Sequence, residues 1–292
     1  MRKLPFYILI ILAVLSCNNE KKNKKNNILI QAVEPTLEFL WETDTLLTTC
    51  ESVLYDKSSQ TIYVANVNNA PWEKDNNGFI SKLNTEGEIT NLKWIEGLSG
   101  PKGMGAYKGK LYVNDIDEVV EIDVATKEIA NKFVVEGAPQ LNDITVSDDA
   151  VYISGSGTDA IYKIENGNIR LVANDTLGRL NGLLHQKDGI YFAASRSHHF
   201  GVFNENNSTF KVLTTDIGHG DGIIRLENGD FIVSSWSGEI FYIKQTDWSK
   251  IKLLDTREQK VNAADIDYIE ASQILLIPTF FNNTVRAYRL AY

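Results

Sequence analysis

Residues 221–243 read DGIIRLENGDFIVSSWSGEIFYI, and this stretch decides the fold. An apolar run at Ile223-Ile224 leads into a turn at Glu227-Asn228-Gly229-Asp230 and a second run at 231–235. A Ser237-Gly238 turn and a third run at 239–243 follow. Asn-Gly between two apolar runs is a strong hairpin signal, and it predicts a turn with both central residues at positive φ. That turn belongs at the end of the hairpin away from Asp221.

The same grammar recurs along the chain. Counterparts of the second run begin at Ile62, Leu111, Val151, Ile190, Phe231 and Ile274, separated by 49, 40, 39, 41 and 43 positions. A period near 40 with several short strands per unit is the signature of a β-propeller, and six runs imply six blades. The long first interval is accounted for by an insertion at 67–77 that carries Pro71 and Trp72. Each unit continues with a third strand, and most with a fourth. The last unit ends at Tyr292 without one, so residues 38–42 are expected to supply it and close the ring. No window sustains helical apolar spacing beyond the leader. The sequence therefore predicts an all-β chain, with residues 33–292 forming one six-bladed β-propeller closed by an N-terminal strand.

Upstream, Arg2-Lys3, an apolar run at 4–15 and the tetrapeptide Val14-Leu15-Ser16-Cys17 make a signal peptide over residues 1–16. The run is too short to span a bilayer. The tetrapeptide resembles a bacterial lipobox, which implies an exported lipoprotein anchored in the cell envelope through lipid on Cys17. Residues 17–32 are polar and low in complexity and read as a tether. Cys50 is then the sole remaining thiol, which excludes a disulfide framework and a cysteine zinc site. The formal charge is −9, or −11 without Arg2 and Lys3 of the leader. Such a balance argues against nucleic acid as a partner, and leaves the lipid anchor as the membrane contact.

Alignment of the units on their second strands puts Glu51, Lys102, Asn142, Asn181, Asp221 and Ala264 at one position, at the start of each innermost strand. Innermost strands of a propeller converge on its axis, so these side chains should ring one end of the central channel. Two carboxylates and two amides form a hard-oxygen set suited to a divalent cation, calcium first, with zinc, magnesium or manganese as alternatives. Taken singly, the Asn-Gly, Asn-Asp and Asp-Gly pairs also read as turn residues entering a strand. Glu51 does not, because Glu is no turn former.

Glu51-Ser-Val-Leu-Tyr-Asp, Leu141-Asn142-Asp143, Leu180-Asn181-Gly182-Leu183 and Asp221-Gly222-Ile223 together resemble the regucalcin/gluconolactonase family, the senescence marker protein-like sugar lactone lactonases. The resemblance implies Glu51, Asn181 and Asp221 as metal ligands, with Asn142 beside ion and substrate. It implies metal-assisted ester hydrolysis of a small lactone, with Asp221 as the general base and Asp143 as a second candidate for proton handling or substrate contact. Gln140 stands where family lactonases often carry a sugar-contacting arginine. Lys102 enters the column, either to bind an anionic ligand or to pair with Glu51 or Asp221.

His198, His199 and His219 should lie at the same mouth, and Trp236 with Phe280-Phe281 could form an apolar rim or pack between blades. His185 belongs to the opposite end. Two functions fit the sequence: an exported metal-dependent lactonase or related esterase, and a non-catalytic propeller that binds a small ligand or a protein at its mouth.

Overall fold

A computed structural model describes residues 34–292; the leader, Cys17 and the tether lie outside the described residues. The described chain forms six four-stranded sheets. In five of them the strands follow one another in chain order from the axis outward. Their innermost strands are Cys50–Asp56, Pro101–Tyr107, Leu141–Val146, Leu180–Gln186 and Gly220–Arg225. The sixth sheet starts at Asp267–Ile269 and takes its outermost strand from the other end of the chain: Thr36–Glu42 pairs antiparallel with Val285–Ala291. The closing strand thus contains the expected residues 38–42 and extends upstream to Thr36, which pairs with Ala291. Glu42 fastens its far end by accepting hydrogen bonds from Thr284 Oγ1 at 2.7 Å and Arg286 Nε at 3.0 Å. Closure leaves no unpaired edge between the first and last sheets.

Second strands such as Phe231–Ser235 are buried along their whole length, which is why they read as unbroken apolar runs. Outer strands alternate between exposed and half-buried residues, as in Asn168–Asn174. The core lies in six wedges between neighbouring blades. In one of them Tyr63 and Ile80 of the first blade pack on Met104, Leu111 and Val113 of the second. Another joins Leu47 and Ile62 to Leu276 and Ala287 across the closure. Cys50 is buried in that wedge, its thiol donating to the Thr284 carbonyl at 3.1 Å and pushed up to about 12 by burial.

The turn at 226–230 differs in type from the expected one. Only Gly229 has positive φ there, and its N–H donates to the Leu226 carbonyl at 2.9 Å. This is a type I turn closed by a glycine bulge rather than a two-residue primed turn. The Asn228 side chain holds that shape, accepting from the Asp230 N–H and donating to the Tyr242 hydroxyl.

The innermost strands approach one another so closely that side chains are excluded between some of them. A β-carbon on Gly182 would collide with the carbonyl of Asp221, and one on Gly222 with the backbone N–H of Ile266. Gly182→Ala is therefore expected to destabilise the protein by about 1–3 kcal/mol or more, because both obstacles are backbone. Denaturant unfolding checks this; an unchanged midpoint would contradict the packing described.

Candidate functional site

One mouth of the channel opens into a cavity of about 390 Å³. Glu51, Lys102, Asn142, Asn181 and Asp221 line it, which is the predicted column except Ala264. Each of the five sits where its innermost strand slips register against the second strand, between Cys50 and Ser52, Pro101 and Met104, Leu141 and Ile144, Leu180 and Leu183, and Gly220 and Ile223. A bulge leaves a residue free of the ladder and turns it out of the regular alternation. Second-strand side chains stitch two of these bulges: Ser154 Oγ accepts from Asp143 N–H at 2.8 Å, and Ser234 Oγ from Gly222 N–H at 2.9 Å. The Ser234 hydroxyl also donates to the Ala264 carbonyl, joining the fifth blade to the sixth.

The donors are deeply buried, with Asp221 1% and Glu51 4% exposed. Both carboxylate oxygens of Asp221, Oε2 of Glu51 and Oδ1 of Asn181 are buried with no hydrogen-bond partner. Orphaned carboxylate oxygens at such depth are costly unless neutralised or paired. Burial, then repulsion from Glu51 and Asp143, holds the Asp221 carboxyl well above its ordinary range, with Lys102 and Arg179 opposing. Burial pushes Glu51 up to about 7, again against the pull of Lys102. Two carboxylates with an amide oxygen fit a hard divalent cation. Among the described residues no group of three His, Cys, Asp or Glu side chains is placed to hold a metal ion, so an amide oxygen such as that of Asn181 would have to complete the pair of carboxylates.

The other candidates take distinct places. Lys102 forms no ion pair with Glu51 or Asp221. Its ammonium donates to the carbonyls of Pro71 at 2.9 Å and Gly100 at 3.2 Å, and lies 4.4 Å from the Trp72 ring. The 67–77 insertion thus folds onto the mouth. Asp143 is buried but lines the opposite side of the channel, where its carboxylate accepts from the N–H groups of Leu183 and Ile144, each at 2.6 Å. Gln140 is not part of the cavity wall; its Oε1 accepts from the Arg179 guanidinium at 2.8 Å.

Trp236 and Phe280 line the cavity and meet edge to face at 5.4 Å, with exposed Phe281 against both. His219 lines it too, its ring 5.4 Å from that of His198. His185 stacks on Tyr152 away from the mouth.

Repeat alignment on the column missed Pro71, Trp72, Arg179, Ser195 and Arg196, all of which line the cavity. Pro71 and Trp72 belong to the insertion, which has no counterpart in other units. Arg179 had a signal. It stands two residues before Asn181, as Gln140 does before Asn142 and Thr49 before Glu51, and all three have positive φ. A non-glycine residue in that conformation is uncommon, and its recurrence marks a shared loop geometry at the mouth.

No protein-family model and no curated protein matches the sequence. Solved structures are similar. Virginiamycin B lyase from Staphylococcus aureus in selenomethionine form superposes with a TM-score of 0.65 at 12% identity, over 88% of this chain and 100% of the other. A catalytically inactive variant of that lyase with quinupristin gives 0.63 at 13% identity, with the same coverage. The WD40 β-propeller domain of Doa1 gives 0.62 at 10% identity, over 82% of this chain and 78% of that one. The likeness is one of fold. The chain is a six-bladed β-propeller with the lyases among its structural neighbours.

The buried carboxyls set a pH dependence. Glu51 and Asp143 ordinarily ionise at 4.5 and 3.8, whereas in the fold each is held up to about 7, burial being the first cause. Between those values the native state binds more protons than the unfolded chain, so stability falls as pH rises. Asp123, held down to about 2 by Lys110, is ionised in both states across that window and does not oppose the trend. The protein kept in chelator should therefore show a higher Tm near about pH 5 than near about pH 8. Calorimetry checks this, and a Tm that rises with pH would contradict the site electrostatics.

Proposed function

We propose that this chain is a metal-dependent hydrolase of the lactonase or esterase type, acting on a small lactone. It is exported and anchored in the cell envelope through lipid on Cys17. One observation carries the reading: Glu51, Asn181 and Asp221, each with an orphaned, buried oxygen, line a single cavity of about 390 Å³, large enough for a small organic substrate. A divalent cation held by those three residues, calcium first, supplies Lewis acidity toward an ester carbonyl.

The chain's own groups divide the remaining work. Asp221 keeps a carboxylate oxygen free to accept a proton from the attacking water. Lys102 uses two N–H groups on Pro71 and Gly100, which leaves one of its three for an oxygen of the substrate. Asn142 presents an amide at the same level of the channel and orients the ester. Trp72, Trp236 and Phe280 screen the reacting groups from bulk water.

Incubation with a panel of lactones, with and without chelator, tests the proposal. Turnover that disappears on chelation and returns with calcium is expected. Asp221→Asn should lower kcat by about 10²-fold or more while the fold survives, as for loss of a general base. A bound cation with no turnover on any lactone would point to the non-catalytic binding propeller instead. Undiminished activity in Asp221→Asn would remove that residue from the mechanism.

A further inference from the structure

The cavity carries more positive charge than a neutral ligand requires. Histidine aside, its ionisable lining consists of Glu51 and Asp221 against Lys102, Arg179 and Arg196. A divalent cation on the two carboxylates would leave the three basic residues uncompensated. None of the three has a carboxylate within ion-pair distance among the described residues, although ion pairs are frequent elsewhere on the surface. Lys102 is only 1% exposed, so its charge is sheltered from solvent.

The two arginines sit on adjoining loops. Ser195 N–H donates to the Arg179 carbonyl and Arg196 N–H to the Gly178 carbonyl, each at 2.9 Å, which binds the two loops side by side. Burial lowers the pKa of Arg179 first and repulsion from Arg196 next, with Asp159 and Asp221 opposing. Gln140 holds one nitrogen of Arg179, and the Trp72 ring lies 5.8 Å from the guanidinium carbon. Two guanidinium groups on adjoining loops beside one cavity suit an anion, which accepts charge-assisted hydrogen bonds from both. Trp236 and Phe280, from the fifth and sixth blades, add an apolar wall.

We propose that the ligand of this cavity carries a carboxylate or phosphate group, bound by Arg179 and Arg196 with Lys102 below them, and an apolar ring or chain that rests on Trp236 and Phe280. The inference rests on the reading of this cavity as the substrate site, and names the substrate class: an anionic ester or lactone rather than a neutral sugar lactone. The insertion contributes by pinning Lys102 through the Pro71 carbonyl and flanking Arg179 with Trp72.

Isothermal titration with phenyl phosphate, phenylacetate and the neutral benzyl alcohol tests it. The protein is used both loaded with calcium and stripped of metal, with the chelator dialysed away because it is itself an anion. Both anions are expected to bind about 10-fold or more tightly than the alcohol, with affinity falling as salt is raised. Phenyl phosphate against phenylacetate tells which anion the site prefers. Arg179→Gln should cost about 10-fold or more on the anions and leave the alcohol unchanged, while Arg179→Lys restores part of the loss. Circular dichroism confirms that the variants fold, and Arg196→Gln gives a second reading. Equal affinity for alcohol and anions, no effect of either glutamine variant, or no binding of any probe would overturn the proposal. Failure of the metal reading looks different: calcium does not bind, yet the anion preference and the Arg179→Gln loss persist in stripped protein.

Discussion

The structure depends on the approach of the innermost strands around a common axis. Gly182 lies against the Asp221 backbone and Gly222 against Ile266, where no side chain fits. At that spacing a regular strand would direct its side chains into its neighbours. The bulges in five of the innermost strands resolve this by freeing one residue in each to turn into the channel mouth. Ring closure by Thr36–Glu42 keeps the geometry fixed, because an open array could spread and separate the five residues.

The mouth so formed is electrostatically expensive. Asp221 and Glu51 are buried without partners for their oxygens, and Asp143 and Asp265 are buried below them along the same channel. Asp143 and Asp265 differ in being satisfied: the first accepts two backbone N–H groups and the second the Ser52 hydroxyl at 2.6 Å. The contrast separates two jobs. Lower carboxylates tie neighbouring strands together, and upper ones remain open to a ligand. On the proposed reading, a divalent cation offsets the desolvation penalty of the unpaired tier.

Most of the fold was legible because a repeat near 40 residues turns weak local signals into six concordant ones. The column was legible for the same reason, and Glu51, Lys102, Asn142, Asn181 and Asp221 meet in one cavity. What escaped belongs to parts that do not repeat or to directions that a one-dimensional register does not specify. Trp72 sits in an insertion found in one unit. Asp143, next to Asn142 in sequence, faces the other way along the strand and serves the backbone. Arg179 reaches Gln140 from the neighbouring blade, so the arginine at the mouth comes from a different unit than the one in which it was sought. The Asn228-Gly229 turn was placed correctly but mistyped, because side-chain bonds to Asp230 and Tyr242 decide its conformation.

Fold and site therefore stand on different supports. The propeller is shared with structures as diverse as a lyase and a WD40 domain, at 10–13% identity, so it identifies no chemistry. Chemistry enters through the unpaired oxygens, and their occupant is the central claim. Elemental analysis by mass spectrometry of the purified protein, before and after dialysis against calcium, addresses it directly. The account predicts about one divalent ion per chain, lost in the Glu51→Gln, Asp221→Asn double variant, as removal of both carboxylates from a hard-cation site requires. Trace metal only, or the same metal content in the double variant, would contradict it.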